Sequence, residues 1–305
     1  MHLPRGYRSP ITTTRRTPSR QALAVRATPF LFVLIWASGF VVAKYAAPYA
    51  EPLCFLLLRY AGVVGLMLAL ALVAGAPWPQ GRSGLHIAVA GIGIQAGYLG
   101  GVWVAVAEGM PAGVAALVVN LQPVLTAAFA GLVHERLTRL QVVGLLLGFL
   151  GVTLVVSNRL TTEGLSLLTL GLTTMALFAI TAGTLYQKRF CPVFDLRTGQ
   201  VVQFTASILV TLPFALAFES FRFDWTPQLV GALAWSVLVL TGGGISLLFL
   251  MLRRGAAAKV TSYFYLVPGI TALMAWLMFG ETLSVVAIIG MVVAVLGVAL
   301  ATRSS

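Results

Sequence analysis

Ten stretches of about 20 apolar residues follow one another along the chain, joined by links too short to fold by themselves. They lie near 28–49, 52–74, 84–107, 111–133, 139–157, 166–187, 197–219, 227–252, 256–279 and 283–302. An α-helix rises about 1.5 Å per residue, so about 20 apolar residues cross a hydrocarbon core of roughly 30 Å. In that core only helices and closed barrels satisfy their own backbone. Barrel strands need only about ten residues in strict alternation, whereas these stretches are longer and apolar all round. The expected fold is an all-α membrane protein with ten transmembrane helices. The composition agrees: 59% of the 305 residues are hydrophobic and 9% are charged, where a soluble domain carries about 25% charged residues.

The charges set an orientation. Six arginines (Arg5, Arg8, Arg15, Arg16, Arg20, Arg26) precede the first stretch. With that end in the cytoplasm, the inner side also holds Arg82, Arg136, Arg139, Lys188, Arg189, Arg197, Arg253, Arg254, Lys259 and Arg303. The outer side holds only Lys44, Arg159 and Arg222. Such a bias places both termini in the cytoplasm, in a bacterial plasma (inner) membrane. Residues 1–27 lack an acid and an apolar core; they read as a disordered cytoplasmic tail, with an organellar transit peptide as the alternative. The net charge of +12 is spread over a tail and short loops, so no nucleic-acid partner is expected. Cys54 and Cys191 fall on opposite faces, too far apart for a disulfide.

The chain also repeats itself. A shift of 145 positions carries Ala112, Leu121, Pro123, Thr126, Ala127, Ala130 and Leu132 onto Ala257, Leu266, Pro268, Thr271, Ala272, Ala275 and Leu277. A shift of 146 then carries Glu135, Leu137, Gly144, Leu150, Gly151, Val152 and Leu154 onto Glu281, Leu283, Gly290, Leu296, Gly297, Val298 and Leu300. Five spans per copy is an odd number, so the second copy is inverted. The turns agree: Glu108 corresponds to Arg253 and Arg254, and Arg136 and Arg139 correspond to the turn with Glu281. The expected units are 28–157 and 166–303. Inverted repeats characterise transporters with a central site.

Two passages carry a family resemblance. PAGVAALVVNLQPVLTAAFAGLVHERLTRLQVVGLLLGFLGVTLVV resembles the last two helices of an EamA domain of the drug/metabolite transporter superfamily, and AAAKVTSYFYLVPGITALMAWLMFGETLSVVAIIGMVVAVLGVALA resembles the same pair in a second copy. WASGFVVAKY (Trp36–Tyr45) and LLLRYAG (Leu56–Gly62) resemble the first and second helices. The resemblance implies a basket of ten helices around a central cavity and export of small metabolites, amino acids foremost. Sugar, nucleotide-sugar or drug export is the alternative within transport. A non-transporting membrane scaffold or sensor is the rival class.

Candidate cavity residues are polar or aromatic side chains away from span ends: Trp36, Ser38, Tyr98, Trp103, Asn120, Thr181, Thr261, Tyr263 and Tyr265, with Gln95, Gln203 and Trp235 beside them. Polar groups in spans face the bundle interior, either as interhelical hydrogen bonds or as ligands. Pro123 and Pro268 read as matched bends, because a helix-interior proline removes a backbone hydrogen bond. They serve either as static kinks or as flexing points. Gly242, Gly243 and Gly244 read as a hinge or a point of close substrate approach. The other glycines, Gly97 and Gly101 among them, read as packing devices, and the matched Gly144, Gly151, Gly290 and Gly297 point to a scaffold or homodimer face. Arg59 is the one charge well inside a span. It reads as snorkelling to headgroups or, second, as an anion contact.

All eight acids (Glu51, Glu108, Glu135, Glu163, Asp195, Glu219, Asp224, Glu281) fall in loops or at span ends. No mid-membrane carboxylate is available for proton coupling or for holding an organic cation, so facilitated export is the simpler expectation. The three histidines are scattered, and G-x-S-x-G, P-loop and H-E-x-x-H patterns are missing. No cofactor, metal or enzymatic activity is expected.

Overall fold

The fold was analysed in a computed structural model, which describes residues 20–132, 139–157, 165–191, 193–244, 247, 264, 266–281 and 284–302. The described residues are overwhelmingly helical. The order is α1 (Arg20–Ala46), α2 (Pro52–Val73), α3 (Arg82–Gly91), a π-helical segment Ile92–Gly97, α4 (Tyr98–Ala107), α5 (Ala112–Val119), α6 (Gln122–Leu132), α7 (Arg139–Ser157), α8 (Leu167–Phe190), α9 (Leu196–Phe218), α10 (Pro227–Ala234), a second π-helical segment Trp235–Gly243, α11 (Val267–Phe279) and α12 (Val285–Thr302). Among the described residues five spans are long and apolar enough to cross a membrane: Thr28–Ala46, Pro52–Val73, Arg82–Ala107, Leu167–Phe190 and Leu196–Phe218. Shorter apolar helical stretches accompany them at Ala112–Thr126, Val142–Leu154, Pro227–Gly243, Val267–Phe279 and Val285–Leu300. Large apolar side chains such as Val73, Leu146, Leu216 and Leu296 lie exposed on the bundle's outside, as a lipid-facing surface requires.

Helix starts follow local chemistry. Pro52 and Pro227 stand in first turns, where the missing N–H costs nothing. Ser166 and Thr169 form a reciprocal capping box on α8, and Thr226 caps α10 through the Leu229 N–H. The N-terminus of α2 is capped from outside its own strand of sequence. The Glu219 carboxylate, just past the end of α9, accepts the N–H groups of Leu53 (2.8 Å) and Cys54 (2.7 Å). Glu51 answers by accepting from the N–H groups of Ser220 and Arg222. At the far end, the Thr198 hydroxyl near the start of α9 donates to the Pro77 carbonyl beyond α2 (2.8 Å). So α2 and α9 lie antiparallel, each tied to the other's trailing loop. Cys54 and Cys191 are both free and buried.

The prolines differ from the expectation of interior bends. The span near 111–133 is broken at Asn120–Leu121, and Pro123 is the second residue of α6. Pro268 is likewise the second residue of α11, behind Leu266 at φ −80°, ψ −18°. Each proline stands in the first turn of its helix, where it removes no intrahelical bond.

Glycines fix two close crossings. A Cβ on Gly97 would stand 2.8 Å from Ala179 Cβ, and one on Gly101 2.6 Å from the Leu172 carbonyl, so α4 and the first π segment lie directly on α8. On α7 and α12, a Cβ on Gly151 would meet the Ala294 nitrogen at 2.4 Å, and one on Gly297 the Gly148 nitrogen at 2.4 Å. The glycines matched across the two passages thus pack against each other.

Candidate cargo cavity

Between α1, α2, α4, α8, α9 and the two π segments lies a cavity of about 130 Å³. Its polar lining is Arg59 on α2, Gln95 on the first π segment, Tyr98 on α4 and Thr241 on the second π segment. Trp36, Phe40, Trp103 and Phe204 supply aromatic walls, and Ile94, Ile180 and Leu240 aliphatic ones. A larger groove of about 690 Å³ runs along α11 and α12. Its one charged residue among those described, Glu281, is already ion-paired with Lys44, and the rest of its described lining is aliphatic apart from the Trp276 indole. The smaller cavity holds the chemistry.

Arg59 decides what that cavity can do. It lies seven residues past Pro52, about 10 Å along the helix, and is only 8% exposed. Its Nε has no hydrogen-bond partner. Among the described residues the ion pairs are Lys44–Glu281 and Asp195–Arg197; neither involves Arg59. A snorkelling arginine would reach the headgroups, whereas this one lines an interior cavity. No described acid pairs with it, and a buried guanidinium favours an anion as its partner.

The two π segments shape the walls. Widened turns of this kind occur mostly at functional sites. The first is held to α2 by the Tyr60 hydroxyl, which donates to the Gln95 carbonyl (2.8 Å) one residue along from Arg59. In the second, the Thr241 hydroxyl donates to the Ser236 carbonyl five residues back (3.1 Å). Around the cavity, Trp103 stacks on Phe55 (4.5 Å between centroids). Trp36 packs edge-on against Phe264 (5.2 Å).

Of the residues singled out in the sequence, Trp36, Arg59, Gln95, Tyr98 and Trp103 come together here. Ser38 does not line the cavity; its hydroxyl donates to the Ile35 carbonyl (2.6 Å) and accepts from Trp235 Nε1 (2.9 Å), joining α1 to the second π segment. Thr181 is buried and bonds back to the Leu177 carbonyl (2.7 Å), while its neighbour Ile180 faces the cavity. Asn120 ends α5, donates to the Ala116 carbonyl (2.7 Å) and borders a separate small void with Pro268. Gly242 and Gly243 lie in the second π segment, with Gly244 capping it. Among the described residues a Cβ at any of them meets nothing closer than 3.5 Å. Thr261, Tyr263 and Tyr265 lie outside the described residues.

Sequence reasoning did not reach Phe40, Phe204 and Thr241, nor the π segments. The glycines flanking each segment, Gly91, Gly93 and Gly97 in one and Gly242 to Gly244 in the other, were the available signal.

Comparison with known proteins identifies the family. The model of the EamA-like transporter family matches residues 27–157 and again 166–303. An uncharacterised inner membrane transporter, YedA, of Escherichia coli strain K12 is 28% identical over 288 residues, covering 93% of this chain and 92% of its own. The uncharacterised transporter YvbV of Bacillus subtilis is 26% identical, with 90% of each chain covered. A protein of Salmonella typhimurium named "Probable amino-acid metabolite efflux pump" is 26% identical over 88% of this chain and 91% of its own. A solved structure titled "Crystal structure of protein" shares the fold, with a TM-score of 0.63 at 18% identity and coverage of 92% and 96%.

Proposed function

The chain belongs to the EamA-like transporter family, and from that premise we propose that it exports small carboxylate-bearing metabolites, amino acids and related acids, by alternating access. The observation that carries the choice of cargo is Arg59, a buried guanidinium with an unpartnered Nε in an otherwise apolar and aromatic cavity. A carboxylate completes its hydrogen bonds and cancels its charge. The name of the Salmonella relative, a probable amino-acid metabolite efflux pump, supports the same class.

In this reading the ten apolar stretches are ten transmembrane helices in two inverted five-helix repeats, with both termini in the cytoplasm. The helix bounds support the repeat. Moved by 145 positions, α2 (Pro52–Val73) would occupy 197–218, where α9 spans Leu196–Phe218. The start of α3 at Arg82 would fall at 227, where α10 begins, and the first π segment falls within the second. The antiparallel pairing of α2 with α9 supports the inversion. The Lys44–Glu281 pair joins the ends of α1 and α11 on the proposed outer side, and its rupture accompanies outward opening. The first turns that hold Pro123 and Pro268 serve as the flexing points.

The cavity's size weighs against nucleotide sugars: about 130 Å³ is close to the roughly 150 Å³ that holds one benzene. A scaffold has no need for an uncompensated charge at its centre. The reading is tested by comparing metabolites in the medium of overexpressing and deletion cells, then loading the differing compounds into proteoliposomes. Small carboxylates should differ and should exchange. A profile in which only sugars or amines differ would sink it.

A further inference from the structure

We propose that the Arg59 cavity filters its cargo by net charge, taking monocarboxylate anions without a free ammonium in preference to the zwitterionic amino acids of the same side chain. The inference rests on the reading of Arg59 as the carboxylate contact and narrows it.

Count the charges that can meet in the cavity. Among the described residues Arg59 is the one charged residue of the lining. A carboxylate beside it makes a neutral pair, the least costly charge state in a low-dielectric site. A zwitterion adds an ammonium only a few bonds from that carboxylate, and the ammonium must find its own partner. Each described acid is engaged elsewhere or exposed. Glu51 and Glu219 accept backbone N–H groups at the end of α2. Asp195 holds Arg197, and Glu281 holds Lys44. Glu108 and Asp224 are exposed at helix ends. The remaining acids, Glu135 and Glu163, flank apolar stretches in sequence, and the segment 245–265 contains no acid. An ammonium is therefore left with the faces of Trp36, Tyr98 and Trp103, a weaker substitute for lost hydration, and with repulsion from Arg59.

The rest of the cavity fits the anion's body. Ile180, Phe204 and Leu240 present an apolar surface with no hydrogen-bonding side chain. The volume of about 130 Å³ suits one ring or a branched alkyl group. The cargo class is thus a small acid with a single carboxylate and one compact apolar group, such as an amino acid that has lost its amine. The reaction that supplies it is of the class that removes or replaces an α-amino group.

The test uses the full chain in lipid nanodiscs and three probes of one skeleton: 3-phenylpropanoate, phenylalanine and phenethylamine. Binding is measured by calorimetry, and exchange in proteoliposomes. The expected order is acid over zwitterion by at least about tenfold, with no detectable binding of the amine, given the weakness of cation–π compensation. Arg59→Gln should abolish the acid's advantage, and Arg59→Lys should keep part of it if the charge, rather than the fork geometry, sets the preference. Phenylalanine binding as tightly as the acid, with both lost in Arg59→Gln, overturns the charge filter and leaves the carboxylate reading standing. Binding that is indifferent to both Arg59 variants, each folded as judged by its melting curve, overturns the carboxylate reading itself.

Discussion

The glycine crossing of α7 and α12 and the Arg59 cavity are both made from helices that match across a shift of about 145 positions, yet the match works differently in each. At the crossing the two copies carry the same residues. Gly144 and Gly151 correspond to Gly290 and Gly297, and the backbones meet so closely that no Cβ fits at Gly151 or Gly297. At the cavity the backbones correspond but the side chains do not. The same shift carries Arg59 onto Phe204 and Gln95 onto Leu240, and all four line the cavity. Sameness across the two passages builds packing, and difference builds chemistry. In the proposed reading the polar wall holds an anion and the apolar wall its body, because matched positions carry different side chains there.

The comparison breaks most completely at the crossing. Gly151→Leu drives a side chain into the α12 backbone and should remove most folded protein, at a cost of about 3 kcal/mol or more. Gly171→Leu on α8, where a Cβ has open space, should leave the yield unchanged in fluorescence-detected gel filtration. If both variants express equally, the crossing is not what holds the two units together.

Making the walls alike comes next. Gln95→Leu copies the residue of the apolar wall into the polar one. It should weaken cargo binding by two- to tenfold, as loss of a neutral hydrogen bond worth about 0.5–1.5 kcal/mol implies, with the melting temperature preserved. Isothermal titration would show this, and an unchanged affinity would remove Gln95 from the site.

A smaller effect is expected in the second π segment. Gly243→Ala meets no atom closer than 3.9 Å and should raise helix stability by about 1 kcal/mol. Exchange in proteoliposomes should slow severalfold if the segment bends during turnover. A stabilised variant with wild-type exchange would leave the glycine without a role in motion.

The smallest effect sits in a loop. The Arg197 guanidinium hydrogen-bonds Asp195 and holds its carboxyl below the usual range. A depressed carboxyl stabilises the fold above its unfolded value near 4, and that contribution is lost as the pH falls through the lower folded value. Asp195→Asn should flatten this acid limb of the melting temperature against pH, lowering the curve slightly near pH 7 and meeting the wild-type curve in acid; two curves that stay parallel would remove the pair from the stability of the fold.

Much of this was legible in the chain itself. Long apolar stretches separated by basic turns mark helices whatever surrounds them, and Gly97 and Gly101 announce a close crossing by their spacing. The π segments were hidden because a stretch that is apolar all round looks alike at 3.6 or 4.4 residues per turn. Ser38 and Thr181 misled because a hydroxyl can bond the carbonyl three or four residues back on its own helix, as both do. Pro123 reads as interior until the turn at Asn120–Leu121 is seen. Which way Arg59 faces depends on helices distant in sequence, α4 and α9 among them, and no local pattern reports that.

The claim that Arg59 holds the cargo's carboxylate meets its most direct test in counterflow. Wild-type and Arg59→Gln proteins, reconstituted at equal density and with equal melting temperatures, are compared for exchange of a small carboxylate cargo. The account predicts a loss of about 30-fold or more, as breaking a buried charged hydrogen-bonded pair costs about 2–5 kcal/mol. Exchange by Arg59→Gln within about twofold of wild type, less than about 0.5 kcal/mol at this temperature, would contradict it.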